Sequence, residues 1–350
     1  RLTMQDYGNT DLWKQVNLEA APVEVLAYIM NSSVDAIGDV GVSAVSDQSI
    51  DALVVAGAAG VSGGAVGVSV AGAGAVAINT ITTDIKASIG YDLSVIDPAW
   101  DIYSGSVTIE AEDTSRISAV TGAAALTASF GGVGVGVSIG FAGAYNEISN
   151  EVSASITDAD VTTTNGAGAI SVTAVEGATI NALTTAVSLA VGIGGVGVAV
   201  SGAGAMATNV ILTTTEAYVT GSTLVSAGGV SIEASDTSTI NAVVLASTAA
   251  IAGGAVGVGV SVGGAFATNL IGTADNPAGA EAYVKGSTIT ATGAYTQSAT
   301  SKQIIRSAVL ATSVALAGGG IGVGVSGSGV LAINLIIADI KAFIEGSTIT

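Results

Sequence analysis

The side chains that could carry chemistry in this 350-residue sequence are carboxylates, because the chain contains no Cys and no His. That composition excludes catalytic thiols, disulfides and imidazole acid–base catalysis. Glu110, Glu112 and Asp113 lie together in "EAED", and paired carboxylates can cleave glycosides or bind calcium through oxygen ligands. No D-x-D-x-D-G calcium loop accompanies them. They are therefore weak calcium candidates, and a solvated strand is the simpler interpretation.

A second candidate site is the segment "YDLSVIDPAWDIYSG" at residues 91–105. It holds Tyr91, Trp100 and Tyr103 in a chain whose aromatic content is only 4%. Aromatic rings beside acidic residues can stack on sugars or anchor a protein partner. These three residues are our contact candidates, with packing of the loop against its own fold as the alternative.

One glycine-rich pattern suggests a nucleotide ligand and is set aside on its context. "GVGVSG" at 322–327 matches G-x-G-x-x-G, but the β-type segment "SGVLAIN" follows it where a dinucleotide site needs a helix. A net charge of −19, from 27 acids and 8 bases, disfavours nucleic acid as a partner. We therefore expect no nucleic acid and no cofactor, with calcium as the exception that the carboxylates leave open.

The charge-free segment 117–146 is long enough to span a hydrocarbon core of about 30 Å. Its alternating glycines, the scarcity of flanking Lys and Arg, and the lack of aromatic girdles argue against a membrane segment. We predict no membrane insertion.

The elements that must position any site come from a repeat. Five segments such as "GGVGVGVSIGFAGAYN" (131–146) begin with a Gly pair and end on Asn79, Asn146, Asn209, Asn269 or Asn334. Successive Asn residues are 67, 63, 60 and 65 positions apart. Self-similarity of this kind indicates a stacked repeat architecture, in which the five Asn side chains would form a hydrogen-bonded ladder. Tyr28, Tyr218, Tyr283 and Phe343 would form a second, aromatic column.

The local pattern within a repeat is typical of β-structure. In residues 182–193 large and small side chains alternate strictly, which predicts a strand with one Ala/Gly/Ser face. That small face permits unusually close approach of two sheets. The Gly pair fits either a hairpin or a β-arc. We predict an all-β, elongated, Ala/Gly/Val-rich repeat β-solenoid of about 60–67 residues per repeat.

The repeat divides the chain into segments. They are a non-repeat start (1–22), a partial repeat (23–47), repeats at 48–114 (insertion 91–105), 115–177, 178–237 and 238–301 (insertion 272–279), and a partial repeat at 302–350.

The motifs "GGVGVGVS", "AYVTGST" and "VSIEASDTS" resemble the repeats of giant bacterial filamentous-haemagglutinin-like surface adhesins and exoproteins. The resemblance covers roughly residues 23–350 and concerns repeat texture and period. It implies an extracellular β-solenoid at a bacterial cell surface, acting in adhesion, aggregation or matrix building. It supplies no functional residues.

The leading hypothesis is a non-enzymatic stalk or self-assembling fibre whose partners are neighbouring copies or adjoining repeats. The alternative is a module that binds glycans or host or bacterial surface proteins through 91–105. More remote hypotheses are an ice-binding solenoid and a carbohydrate-active enzyme using Glu110, Glu112, Asp97 and Asp101.

Overall fold

A computed structural model describes residues 21–91, 101–164 and 166–350. The described chain is an all-β repeat solenoid in which the strands pair in parallel. Among these residues there is no helix long and apolar enough to cross a membrane.

The described strands form three sheets, and the first sheet contains both long and short strands. The long strands are β4 (Ser49–Gly90), β7 (Arg116–Thr157), β10 (Thr179–Thr220), β13 (Thr239–Ile271) and β17 (Ile304–Ile336). Three shorter strands belong to the same sheet as the long strands: β1 (Val23–Met30), β14 (Ala278–Lys285) and β18 (Ala338–Glu345). A second sheet contains β2 (Val34–Asp35), β5 (Asp101–Ser104), β8 (Asp160–Thr163), β11 (Thr223–Ser226), β15 (Thr288–Ala291) and β19 (Thr348–Ile349). A third contains β3 (Val40–Ser46), β6 (Val107–Asp113), β9 (Ile170–Glu176), β12 (Val230–Asp236) and β16 (Tyr295–Ser301).

One sequence repeat forms one layer of the stack. Equivalent residues of successive repeats pair directly, so that Ser49, Arg116, Thr179, Thr239 and Ile304 lie one above another. The same register runs through the short strands, as between β6, β9 and β12. The sequence period is therefore the structural period, and each repeat adds one strand spacing of about 4.8 Å along the axis.

The layers share a three-sided body. It consists of the last eight or so residues of each long strand, or the strand that replaces them, with the second and third sheets. β-Branched side chains fill it: Ile85, Ile89, Ile102, Ile109, Ile156, Ile170 and Ile232 are among the fully buried ones. Because alternate residues of each strand point inwards, three short strands per layer suffice to enclose this core.

The rest of each long strand projects from the body as a two-armed extension, which we call the fin. It comprises residues 49–80, 116–147, 179–210, 239–270 and 304–335. The strand turns back at the Gly pair. There the equivalent residues Gly195 and Gly132 do not pair, although the residues on either side of them do. Both arms pair with neighbouring repeats, and they face each other through side chains, as where the Ser201 hydroxyl donates to the Ser188 carbonyl at 2.9 Å. The turn is thus a β-arc rather than a hairpin.

A glycine column holds the two arms of the fin close together. Gly67, Gly134, Gly197, Gly257 and Gly322 occupy the same position in each repeat. A Cβ on any of them would lie within 3.0 Å of a backbone oxygen, for example 2.5 Å from the Gly192 oxygen at Gly197. Only glycine fits at this distance, which bears out the close sheet approach expected from the small face.

The remaining fin interior is made of alanine and small hydroxyl residues. Ala186, Ala190, Ala205 and Ala207 are buried between the arms, together with Ser188. The large members of the alternation point outwards. An arm of about 15 residues extends roughly 50 Å, whereas five layers rise only about 24 Å, so the described segment is wider than it is tall.

The insertion at 272–279 lies where the fin meets the body. β13 ends at Ile271 and β14 begins at Ala278, and the loop between them is closed by the Thr273 amide donating to the Asn276 carbonyl at 2.8 Å. The loop leaves the stacked register of its neighbours intact. In the other insertion, residues 92–100 lie outside the described residues.

Candidate functional site

The five Asn residues of the sequence ladder come together inside the fin, near its base. Each Nδ2 donates to the Oδ1 of the next repeat at 2.8 Å, linking Asn79, Asn146, Asn209, Asn269 and Asn334. Asn146, Asn209 and Asn269 are fully buried. Since every internal member both donates and accepts, the column buries polar groups without leaving them unsatisfied.

A shorter amide contact lies on the outer side of the fin base and was not anticipated. Asn241 donates to Asn181 at 2.9 Å, and Arg306 donates to Asn241 at 3.4 Å. The signal for it was present as the repeated "TINA" at 179–182 and 239–242.

The aromatic column is shorter than the sequence suggested. Tyr218 stacks on Tyr283 with ring centroids 4.9 Å apart, and Tyr283 stacks on Phe343 at 5.1 Å. Tyr28 does not join them, because its partner in the next layer is Ser88 and the layer after that carries Ser155. Tyr28 instead remains 63% exposed.

The three weak calcium candidates point to opposite sides of one strand. In β6 the inward positions are those of Val107, Ile109 and Asp113, while Glu110 and Glu112 lie on the outer face. Asp101, the other described carboxylate of the enzyme hypothesis, belongs to β5 in a different sheet. Among the described residues no group of three or more acidic side chains converges as a metal site would require.

Asp113 instead begins a buried column of acids at the corner where the third sheet turns into the fin. Asp113, Glu176 and Asp236 end β6, β9 and β12 in register and are fully buried. Asp113 and Asp236 each accept from the backbone and hydroxyl of the serine two residues later, Ser115 and Ser238. These acids cap the corner turns of their layers.

Glu176 differs from the acids above and below it. Its Oε1 accepts from the Ala178 amide at 3.0 Å, but its buried Oε2 has no hydrogen-bond donor. Burial, reinforced by Asp113 and Asp236, raises the pKa of Glu176 well above its ordinary value. Neighbouring Asn150 donates to Asp113 at 2.6 Å and has an unsatisfied Oδ1. A protonated Glu176 carboxyl fits this environment, because it adds a donor where two acceptors lack one.

A shallow depression of about 340 Å³ lies near the junction of the body and the fin. Its lining includes Asp84 and Glu151, and Lys86 forms ion pairs with both at 3.0 and 3.2 Å. The two carboxylates are thus held by one exposed lysine, an arrangement suited to a charged surface.

The aromatic contact candidates are placed differently from one another. Tyr91 packs against the body core, and burial raises its pKa to about 12. Tyr103 lies on the outer face of β5 and is 43% exposed. Trp100 lies outside the described residues.

The outside of the fin exposes large apolar side chains on both arms. Val187 and Ile193 on the outgoing arm are 41% and 43% exposed, and Met206 on the returning arm is 46% exposed. The layers on either side continue the pattern, with Leu53, Val120 and Val243 stacked in register with Leu183. Both outer faces of the fin are therefore apolar, and this is what the alternation of large and small residues produces.

No protein-family model, no curated protein and no solved structure matches this chain. Its function has to be inferred from the architecture.

Proposed function

We propose that the chain is a non-catalytic structural module, an extracellular β-solenoid that serves as stalk or filament in a bacterial surface adhesin or self-assembling fibre. The supporting observation is the pairing of like with like in successive layers, from Asn79 to Asn334 in the ladder and across whole 42-residue strands such as β7 and β10. Such a stack is stabilised by nearest-neighbour interfaces and can be extended by adding repeats.

The repeat motifs support the surface location. The glycine-rich segments and "AYVTGST" resemble the repeats of giant bacterial adhesins. The charge distribution is also suitable. Residues 52–83, 117–146 and 177–215 are uncharged, so that the acids lie on and around the body. Their repulsion would keep the bodies of neighbouring molecules dispersed.

Removal of one whole repeat tests the proposal. Deletion of residues 178–237 joins Gly177 to Ser238 without changing the register, since Gly177 and Thr237 occupy equivalent turns. We expect a folded protein with an unchanged β-type circular dichroism spectrum and a stack about 4.8 Å shorter in a cryo-EM or scattering profile. Deletion of residues 178–207, half a repeat, is the control and should unfold the protein. Failure of the whole-repeat variant to fold would contradict a modular stack.

The surface location has its own test. Antibodies against the folded module should label intact cells that produce the protein, and protease added outside those cells should remove the label. Label that appears only after the cells are opened would rule out the surface role while leaving the modular stack standing.

A binding module is the second candidate function, and the exposure of Tyr103 favours it. Its ring could stack on a sugar or a protein partner from the outer face of the second sheet. Glycan-array and cell-binding measurements on Tyr103→Ala and Trp100→Ala test this. Undiminished binding in both variants would leave the structural function alone.

A further inference from the structure

The fin has an unusual arrangement of polarity for a soluble two-layer structure. Ser, Thr and Asn side chains are buried between its arms, as at Ser188, Ser201 and Asn209, while the exposed positions carry Val, Leu, Ile, Phe and Met. The glycine column explains why the small residues must face inwards. It leaves unexplained what the outward apolar side chains contact.

The size of each apolar face decides between incidental exposure and an interface. Five layers at about 4.8 Å and an arm of about 12 apolar-rich residues at about 3.3 Å give a face of roughly 1,000 Å². The largest apolar patch of an ordinary monomer covers roughly 300–600 Å². A stable protein–protein interface buries about 800 Å² on each partner. One face of the fin is thus large enough for a stable dimer.

We infer that each outer face of the fin binds the same face of a second copy of this chain, with the two fins antiparallel and their bodies at opposite ends. This deepens the proposed function and rests on it, since it names the partner and the surface through which the structural module assembles. The two-fold axis between the copies runs parallel to the solenoid axis and passes between the two fins at the middle of the arm. Equal layers of the two copies therefore face each other.

The distribution of charge selects the antiparallel arrangement. The chain carries a net charge of −19, and the fin of the third repeat is free of charge from residue 177 to residue 215. In a parallel pair the two acidic bodies would lie side by side. In an antiparallel pair they are separated by most of an arm, roughly 40 Å or more, which is several Debye lengths at physiological salt. The apolar faces then meet with little electrostatic cost.

The same distribution disfavours a lipid bilayer as the partner. An inserted fin would bring acids of the body, such as Glu151 and Glu216, towards lipid headgroups, and anionic headgroups would repel them. The fin tips, such as "IGGVG" at 193–197, also lack the Trp, Tyr, Lys and Arg side chains that anchor segments at membrane interfaces.

The presence of two apolar faces predicts how assembly continues. Each face pairs with its own kind, so a dimer made through the outgoing-arm faces still exposes its returning-arm faces. Copies therefore add in the direction perpendicular to the fin, and the product is a stack of fins with bodies alternating on either side.

Lysine substitutions on the two faces test the inference. The outgoing-face variant carries Leu183→Lys, Val187→Lys and Val243→Lys; the returning-face variant carries Val196→Lys, Met206→Lys and Val262→Lys. The body control carries Thr108→Lys, Thr173→Lys and Ser231→Lys. The substituted positions face outwards, and circular dichroism confirms folding before association is measured.

Sedimentation velocity at about 1–50 μM protein gives the readout, over a range that spans typical micromolar association. The unmodified chain and the body control should form assemblies of many copies. Each single-face variant should stop at the dimer, and the variant with both faces changed should be a monomer. An unmodified chain that stays monomeric, or a double-face variant that still assembles, would overturn the inference. Should a lysine variant misfold, Val187→Thr with Val196→Thr replaces it and should weaken association at least tenfold.

Cysteine cross-linking tests the orientation, because the chain has no Cys of its own. Val187 lies at mid-arm in the middle layer, next to the expected two-fold axis, so Val187→Cys should form a disulfide-linked dimer on mild oxidation. Ile193→Cys, at the tip of the same arm, should not, since its counterpart lies at the far end of the pair. Efficient linkage through residue 193 instead would show parallel fins and overturn the antiparallel arrangement.

Flotation with neutral phosphatidylcholine vesicles separates the lipid alternative. Protein that floats with vesicles while remaining monomeric without them would overturn self-association. The repeat deletion described above does not depend on this result. A modular stack that fails to self-associate therefore refutes the inference and leaves the structural proposal intact.

Discussion

The body and the fin are built from the same layers, with the same register, yet they use opposite packing rules. In the body the large side chains, such as Ile109 and Ile232, point inwards, and outside the acidic corner charged ones such as Glu233 point outwards. In the fin the small side chains point inwards, and Val187 and Ile193 point outwards. The difference shows that alternation fixes which residues share a face, while the space between the facing strands fixes which face is buried.

Each rule predicts its own kind of vulnerability. The body depends on apolar volume, so truncation should damage it most. The fin depends on closeness of its arms and on buried polar columns, so added volume or a broken column should damage it most. Four changes test this contrast, and the free energy of unfolding is the common measure.

The largest effect is expected for truncation in the body. Ile232→Ala removes a fully buried side chain from a closed core and should lower the free energy of unfolding by about 2–5 kcal/mol. Val187→Ala, at an exposed position of the fin, should cost less than about 1 kcal/mol. Urea denaturation of both variants provides the comparison, and equal losses would abolish the distinction between the regions.

Added volume should give the next largest effect, and only inside the fin. Gly197→Val places side-chain atoms against the backbone oxygens of Gly192 and Gly253 and should destabilise by about 3 kcal/mol. Gly202→Val is the matched control on the same strand. Gly202 faces outwards between Ile139 and Val262, and a Cβ there meets its nearest atom only at 4.0 Å. A stable Gly197 variant would mean that the arms can separate.

Breaking the polar column should cost somewhat less. Asn209→Leu leaves Asn146 Nδ2 and Asn269 Oδ1 without partners and should lower stability by about 2 kcal/mol, seen as a fall in Tm. Asn181→Leu, in the half-buried amide pair at the fin base, should cost less. An unchanged Tm for the Asn209 variant would count against a stabilising ladder.

The smallest effect is expected at the acidic corner, and it depends on pH. Because the pKa of Glu176 is raised in the folded chain, the folded state holds this proton more tightly than the unfolded state does. Stability from this group is present at acidic pH and falls as pH rises above the unfolded value of about 4.3.

Glu176→Gln should remove that dependence, since the amide stays neutral and can donate to Asn150. Tm measured from pH 5 to 9 should fall less steeply in the variant and be higher at neutral pH. Glu233→Gln on the outer face of β12 is the control and should follow the unmodified chain. Identical profiles for all three proteins would show that Glu176 ionises without cost.

Much of this architecture follows from the sequence, because alternation and period are local and countable. The spacing of the Asn residues from Asn79 to Asn334 predicts one layer per repeat. The alternation in residues 182–193 predicts a strand with one face of small side chains. The choice of a β-arc over a hairpin does not follow, since the Gly pair permits both turns and the choice depends on which strand accepts the hydrogen bonds.

The acidic corner was missed for a different reason. Asp113 is at the inward parity of β6, with Val107 and Ile109, but a carboxylate at the end of a strand is usually solvated. Its buried contact with Asn150, which follows the returning arm of the fin, joins residues 37 positions apart and is not visible in the local pattern. Tyr28 failed to stack because a column needs every intervening layer, and Ser88 and Ser155 interrupt this one.

The register of one repeat per layer has a consequence for how such a protein changes by duplication of its coding sequence. A duplicated repeat of about 63 residues lengthens the solenoid by only about 4.8 Å, but it widens each outer fin face by about 190 Å². Contact free energies add from layer to layer, and association constants therefore multiply. The number of repeats therefore has little effect on the length of the solenoid and a large effect on the strength of binding between copies.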